Sequence, residues 1–465
     1  MSQLTDAPAT TVATTVHRLH ATFATGRTEP VAWRRTQLRA LRSLLTDHAD
    51  ELQDALRADL GKSPVEAFTT EIGFTVNEID HALTHLTSWL RSRRTRVPLA
   101  LAPARARVVR EPLGTVLIIS PWNYPVMLAL APLVGALAAG NCALVKPSEL
   151  APATSAALAR LLPLHLDQQA VAVVEGGVPE TTALLEQRFD HIFYTGNGTV
   201  GRIVMTAAAR HLTPLTLELG GKSPAVVEPG TDLATAARRI VWGKFMNAGQ
   251  TCVAPDYVLA VGETATALEP HLAAAVRDLY GEDPATSPDY GRIVSTRHFD
   301  RLVDFLKDGR TVIGGGHDRD SRYIAPTVLA EVAPDAPVMN EEIFGPVLPV
   351  VGVPDLDAAI SFITERDKPL ALYAFTASSA SKRRLTTETS SGALAFGVPN
   401  AHLTVPGLPF GGVGGSGFGR YHGEHSIDTF SHAKAVLDKP LFPDLLRLAY
   451  PPFTALKEKL LRRML

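Results

Sequence analysis

The chain is poor in cysteine: among 465 residues there are two, Cys142 and Cys252. Two thiols make no disulfide framework, and without several well-spaced histidines they make no zinc site. A reducing, cytoplasmic setting is the expectation. An excess of either charge is also missing, because 45 lysines and arginines face 47 aspartates and glutamates, a net of −2. So balanced a chain offers no electrostatic footprint for a nucleic acid backbone. Residues 1–16 lack the basic start and apolar run of a secretory signal. Long apolar runs are absent with one exception, residues 126–145, which carry no charge. Pro132, Gly135, Gly140 and Asn141 interrupt that run, so it reads as a buried helix, a turn and a strand rather than a membrane span. There is no internal repeat, and no G-x-S-x-G elbow to supply a serine nucleophile. His81 and His85 share a helical face but have no third ligand, so they read as a surface pair and no metal is expected.

What is present is ordinary globular material, 46% hydrophobic and 20% charged. Single cores stop growing near ~250–300 residues, so at least two domains are required. From Arg107 onward, short β-branched runs at 115–119, 143–146, 171–175 and 191–194 alternate with helical patterns at 126–139, 152–162, 180–187 and 200–210. That is the spacing of βαβ units in an α/β, doubly wound parallel sheet. A second α/β stretch begins after Gly220-Gly221, with strands expected at 225–227, 257–261, 324–329, 347–353 and 372–376 and helices at 233–245 and 356–366. The segment before Arg91 reads as helical, packed on the first domain.

Gly196-Asn197-Gly198-Thr199-Val200-Gly201 has the form G-x-G-x-x-G between an expected strand and an expected helix. Glycines allow the tight turn, and a helix N-terminus offers N–H groups and a positive dipole end to a phosphate, so a dinucleotide is the natural guest. A second match, Gly412 to Gly417, lacks a preceding strand and reads as a flexible loop. Gly220-Gly221-Lys222-Ser223 is no P-loop, since Thr216 stands where the first glycine belongs and Pro224 follows. For the acidic residue that holds a ribose hydroxyl, spacing leaves Glu218 and Glu149 both open.

Asn247-Ala248-Gly249-Gln250-Thr251-Cys252 places a cysteine after a glycine turn rather than in an apolar core pattern. Together with Pro121-Trp122-Asn123-Tyr124-Pro125, Lys146-Pro147-Ser148-Glu149, Leu217-Glu218-Leu219-Gly220-Gly221 and Glu341-Glu342-Ile343-Phe344-Gly345-Pro346, it resembles the aldehyde dehydrogenase superfamily. Leu408-Pro409-Phe410-Gly411-Gly412 and Tyr421-His422-Gly423 make it most similar to the class 3 group, which acts on fatty and aromatic aldehydes.

The resemblance implies a Rossmann-like cofactor domain, an α/β catalytic domain and a small oligomerisation element in a homodimer. The divisions are then 1–215 for cofactor, with 91–106 in the oligomerisation element; 216–400 for catalysis; and 401–465 returning to the cofactor domain, the oligomerisation segment and the tail. It implies that Cys252 attacks an aldehyde, that Asn123 and the Cys252 backbone N–H hold the oxyanion, and that Glu218 activates the deacylating water. Lys146 and Glu149 would clamp the adenosine ribose, Glu342 the nicotinamide ribose, with Phe344 beside the ring and Trp122 near the pyrophosphate. Thr195, Gly196, Asn197, Gly198, Val200 and Gly201 would form the turn beneath it. NAD is expected, because Glu149 repels a 2′-phosphate, and NADP stays open. The 397–402 segment is expected at the substrate entrance. Cys142 reads as core and Glu341 as a solvated charge. The tail, with Leu456, Leu460, Leu461 and Leu465 among Lys457, Lys459, Arg462 and Arg463, can lie on a membrane surface or cover a partner subunit.

Overall fold

The computed structural model describes residues 6–464; residues 1–5, where the N-terminal segment begins, and Leu465 of the tail lie outside the described residues. The first α/β unit is a six-stranded sheet ordered Gly417–Phe418, Leu215–Glu218, His191–Thr195, Thr115–Ile119, Cys142–Lys146, Val171–Val173. All its pairings are parallel except the one made by Gly417–Phe418. Strands Thr115–Ile119, Cys142–Lys146 and His191–Thr195 are buried along their whole length, which is why they read as continuous apolar runs rather than alternating ones.

The uncharged 126–145 run resolves as expected. Helix Met127–Ala139 is buried on every side and stops at Gly140, whose φ of +95° makes the left-handed cap that a side chain resists. The chain then enters strand Cys142–Lys146. No described helix is long and apolar enough to cross a membrane.

The second unit is a seven-stranded sheet ordered Arg310–Ile313, Thr327–Ala330, Val347–Val353, Tyr257–Val261, Pro224–Val227, Ala371–Phe375, Ala393–Phe396. Two expectations shift here. The strand expected at 324–329 is split by Pro326, which cannot donate to a ladder; Tyr323–Ile324 pairs with His317–Asp318 in a separate hairpin. Strand Leu215–Glu218 stays in the first sheet, with Ile192 opposite Leu215, so the chain crosses between sheets at 219–223 rather than at 215.

The 412–417 segment is not a loose loop. Gly417 pairs with Glu218, and a Cβ there would lie 1.9 Å from the Leu217 carbonyl oxygen, so the close approach needs glycine. Helices Asp6–Ala24, Val31–Asp47, Ala49–Leu60 and Gly73–Trp89 pack on the helices of the first sheet. A third sheet, Arg93–Thr95, Arg105–Pro112 and Ser431–Asp438, draws the 91–106 region together with the 431–438 strand. The tail forms helix Ala455–Met464 with Leu456 and Leu460 exposed.

Candidate active site

Helix Leu233–Phe245 delivers the chain to three successive left-handed residues, Asn247 (φ +53°), Ala248 (+50°) and Gly249 (+76°). Such a conformation costs a non-glycine residue roughly 1–2 kcal/mol, so the surroundings must impose it. They do. The Asn247 N–H donates to Glu66 Oε1 (2.6 Å) and its Nδ2 to the carbonyls of Asn123 (2.8 Å) and Gln250 (3.2 Å). Gln250 Nε2 donates to the carbonyls of Asn247 and Arg292, and its Oε1 accepts from the Val294 N–H. A Cβ on Gly249 would lie 2.2 Å from the Gly345 carbonyl oxygen, so this loop presses against the one carrying Glu342 and Phe344.

Cys252 leaves this loop half-buried. Burial, then the carboxylates of Glu342 and Glu218, push its thiol up to about 12. Asn123, 2% exposed, lies beyond the carboxyl end of strand Thr115–Ile119 and donates from Nδ2 to the Gln250 carbonyl at 3.0 Å. The amide and the cysteine loop are thus joined directly, and the second Nδ2 proton is left for another acceptor.

Two cavities meet at Cys252. The one of about 590 Å³ is lined by Trp122, Asn123, Lys146, Glu149, Thr195, Gly196, Asn197, Val200, Glu218, Cys252, Glu342 and Phe344, so twelve of the candidate site residues singled out in the sequence share one cleft. Gly198 and Gly201 stand behind it on helix Gly198–Ala209, where Gly201 lets the helix approach the Leu219 side chain. One detail corrects the sequence reading: Asn197 Oδ1 accepts the Val200 N–H at 2.9 Å, so the helix N-terminus is partly closed by its own cap.

The cleft carries unmet polar capacity suited to a dinucleotide. Glu342 Oε1, Thr195 Oγ1 and both Glu218 carboxylate oxygens are buried without a hydrogen-bond partner. Burial holds Glu218 well above the usual carboxylate range. Burial, then Asp256, push Glu342 up to about 8 against an opposing Gly221 N–H. At the far rim Lys146 Nζ meets Glu149 Oε2 at 2.8 Å; partial burial works against it, but the Lys146 bond holds the Glu149 carboxyl below its ordinary value. Trp122 packs edge-on against Phe344 (5.3 Å between centroids) and His298 (5.1 Å). Donors, a cation and an aromatic wall fit a nicotinamide dinucleotide.

The second cavity, about 490 Å³, is walled by Phe74, Met127, Trp242, Tyr280, Phe410 and Tyr421, and is mostly apolar. Asn400 and Ala401 of the 397–402 segment line it.

Sequence reasoning missed the 61–72 segment entirely. Lys62 and Glu71 are fully buried and joined at 2.5 Å; Lys62 Nζ also donates to the Asn123 carbonyl at 3.0 Å. The signal was there: Glu71, Thr75 and Glu78 take core-facing helical positions among Ile72, Ile79 and Ala82, where unpaired charge is too costly to bury. His298 and Arg301 of the larger cavity were missed as well. His81 and His85 are half-buried against Trp89, His85 stacked on it and His81 tilted, and among the described residues no group of three side chains could hold a metal ion. Cys142 is buried in the core, its thiol raised to about 12. Glu341 is exposed and paired with Arg301 at 3.0 Å.

A sequence model of the aldehyde dehydrogenase family matches residues 1–436. The chain is 51% identical over 443 residues to aldehyde dehydrogenase family 3 member B1 of Bos taurus, covering 95% of each chain. It is 50% identical over 438 residues to family 3 member A2 of Mus musculus, covering 94% of this chain and 90% of that one. Among solved structures, Staphylococcus aureus AldH in a substrate-bound state superposes with a TM-score of 0.95 at 42% identity, over 97% of this chain and 99% of that one. An indole-3-acetaldehyde dehydrogenase complexed with NAD+ gives 0.84 at 25% identity over 93% and 89%. Relatives half identical over nine-tenths of the sequence, and a thiol set where two cavities join, lead to one conclusion: the chain belongs to the aldehyde dehydrogenase family, whose members are NAD(P)-dependent enzymes that oxidise aldehydes to acids.

Proposed function

We propose that this enzyme oxidises medium- or long-chain aliphatic or aromatic aldehydes, using NAD in preference to NADP, through a thioester on Cys252. One observation carries the reading: Cys252 borders both the polar cleft and the apolar cavity, so an aldehyde carbon bonded to its sulfur faces both at once. The Cys252 thiol gives its proton to solvent, the resulting thiolate Sγ adds to the carbonyl carbon, and the carbonyl oxygen becomes an alkoxide. The free Nδ2 proton of Asn123 and the Cys252 backbone N–H donate to that oxygen, and fixed donors of this kind stabilise the developing charge most where water is excluded. Glu342 and the Lys146 and Glu149 pair would hold the two riboses, with Trp122, Thr195, Asn197 and Phe344 shaping the cleft between. A nicotinamide bound in this cleft would supply the hydride acceptor that the oxidation of the aldehyde carbon requires. Glu218 then takes a proton from the water that attacks the thioester; burial raises its proton affinity, which strengthens the ionised carboxylate as a base.

On this reading the six-stranded sheet is the cofactor domain, the seven-stranded sheet the catalytic domain, and the three-stranded sheet the oligomerisation element of a cytoplasmic homodimer. The exposed Leu456 and Leu460 beside Lys457, Lys459 and Arg462 support peripheral membrane contact by the tail. The test is a panel of aldehydes of rising chain length plus aromatic ones, followed by absorbance of reduced nicotinamide with NAD and with NADP. Higher kcat/KM on the apolar substrates with NAD is expected; no turnover on any of them would overturn the reading.

A further inference from the structure

The buried pair Lys62 and Glu71 belongs to no element of the proposed catalytic machinery, yet every bond it makes goes to the segment that carries Asn123. Lys62 Nζ donates to Glu71 Oε1 (2.5 Å) and to the Asn123 carbonyl (3.0 Å), and stands 3.9 Å from the centre of the Tyr124 ring. The other Glu71 oxygen accepts the N–H groups of Val126 (2.8 Å) and Met127 (3.2 Å), at the start of helix Met127–Ala139. Glu71 itself lies in a π-helical turn, Phe68–Ile72, a local expansion that proteins use mostly at functional positions. Asn247 Nδ2 reaches the same Asn123 carbonyl from the cysteine loop.

A buried ion pair adds little to stability against an apolar replacement of the same volume, so stability alone gives weak reason for this one. Its geometry points elsewhere. With the Asn123 carbonyl held from two sides and the next helix turn pinned through Glu71, the backbone of residues 123–127 has one orientation. The Asn123 amide, which must aim a proton at an alkoxide on the Cys252 adduct, inherits it.

We infer that Lys62 and Glu71 are positioning residues for the oxyanion hole, acting on the reaction only through the Asn123 side chain. The inference rests on the role proposed for Asn123 and goes beyond it by naming what aims the amide. A misplacement of about 1 Å in a catalytic group costs roughly 100-fold in rate.

The experiment is a double-mutant cycle on the intact enzyme. Lys62→Met, Glu71→Gln and Asn123→Ala are made singly, and each of the first two is combined with Asn123→Ala. For each protein kcat and KM for an aldehyde, the NAD dissociation constant and the rate of Cys252 alkylation by iodoacetamide are measured. Lys62→Met is expected to lower kcat about 100-fold, with NAD binding and alkylation unchanged. Added to Asn123→Ala it should cost nothing further, because the group it aims is gone. Losing the same factor in both backgrounds, or slowed alkylation in step with kcat, overturns the inference in favour of a structural role. Should Lys62→Met fail to fold, the Glu71→Gln cycle, which keeps volume and shape, reads the same coupling. A wild type without Cys252-dependent turnover would bring down the underlying mechanism; an active wild type with independent losses defeats this inference alone.

Discussion

Cys252 occupies a corner where burial and two carboxylates all favour the protonated thiol, so its reactivity depends on what changes that field. Because the Glu342 charge raises the proton affinity of the thiol, Glu342→Gln should increase the thiolate fraction and speed iodoacetamide alkylation at a fixed pH above about 8, where Glu342 is ionised. Alkylation of the wild type should climb steadily with pH across the alkaline range. A slower Glu342→Gln protein would reverse the assigned sign. Glu218 gives a second test. Its folded-state proton affinity is raised by burial, so the stability it contributes is full below the unfolded carboxylate value near ~4.3 and is lost as pH rises through the folded one. Glu218→Gln, neutral at every pH, should therefore gain Tm relative to wild type as pH rises above the unfolded carboxylate value of ~4.3. The same variant, mixed with aldehyde and NAD, should release one burst of reduced cofactor and then stall at the thioester. Steady turnover at the wild-type rate would remove Glu218 from the role of base.

Among the elements, the cysteine loop is the one whose backbone is least free. Gly249 combines φ of +76° with a carbonyl 2.2 Å from where a Cβ would stand, so Gly249→Ala should destabilise by more than about 1 kcal/mol and displace Cys252. Thermal unfolding and alkylation rate read the two effects. The cap at Asn197 is milder: Asn197→Ala should cost about 1 kcal/mol, seen as a lower denaturant midpoint, by freeing the Val200 N–H. Elements of this kind also mark what could be read beforehand. The parallel strands were legible because burial on both faces leaves an unbroken apolar run, as in Thr115–Ile119 and Tyr257–Val261. Strand Ala393–Phe396 was not, since its half-exposed Ala-Leu-Ala-Phe pattern fits helix and strand equally. That the candidate site residues of the larger cavity would share one cleft was legible from short motifs joined by the family resemblance. Glu71 had a local signal, its core-facing place among Ile72, Ile79 and Ala82, but Lys62 and Glu66 had none, and the partners of all three, Asn123, Asn247 and Val126, lie on other elements.

At the scale of the whole molecule, the two α/β units matter because neither holds a complete site. The six-stranded sheet brings Asn123, Lys146, Thr195 and Glu218 to the carboxyl ends of its strands; the seven-stranded unit brings Cys252 and Glu342. The return strand Gly417–Phe418 ties the late chain back onto the first sheet opposite Glu218, and Phe410, Tyr421 and His422 from that late segment line the apolar cavity. The reaction depends on this junction. Its most direct test compares wild type with Cys252→Ala on a long-chain aliphatic and an aromatic aldehyde, monitoring reduced nicotinamide. Wild type should turn over continuously while Cys252→Ala, folded and still binding NAD, gives none. An inactive wild type, or an alanine variant that keeps its activity, would contradict the account.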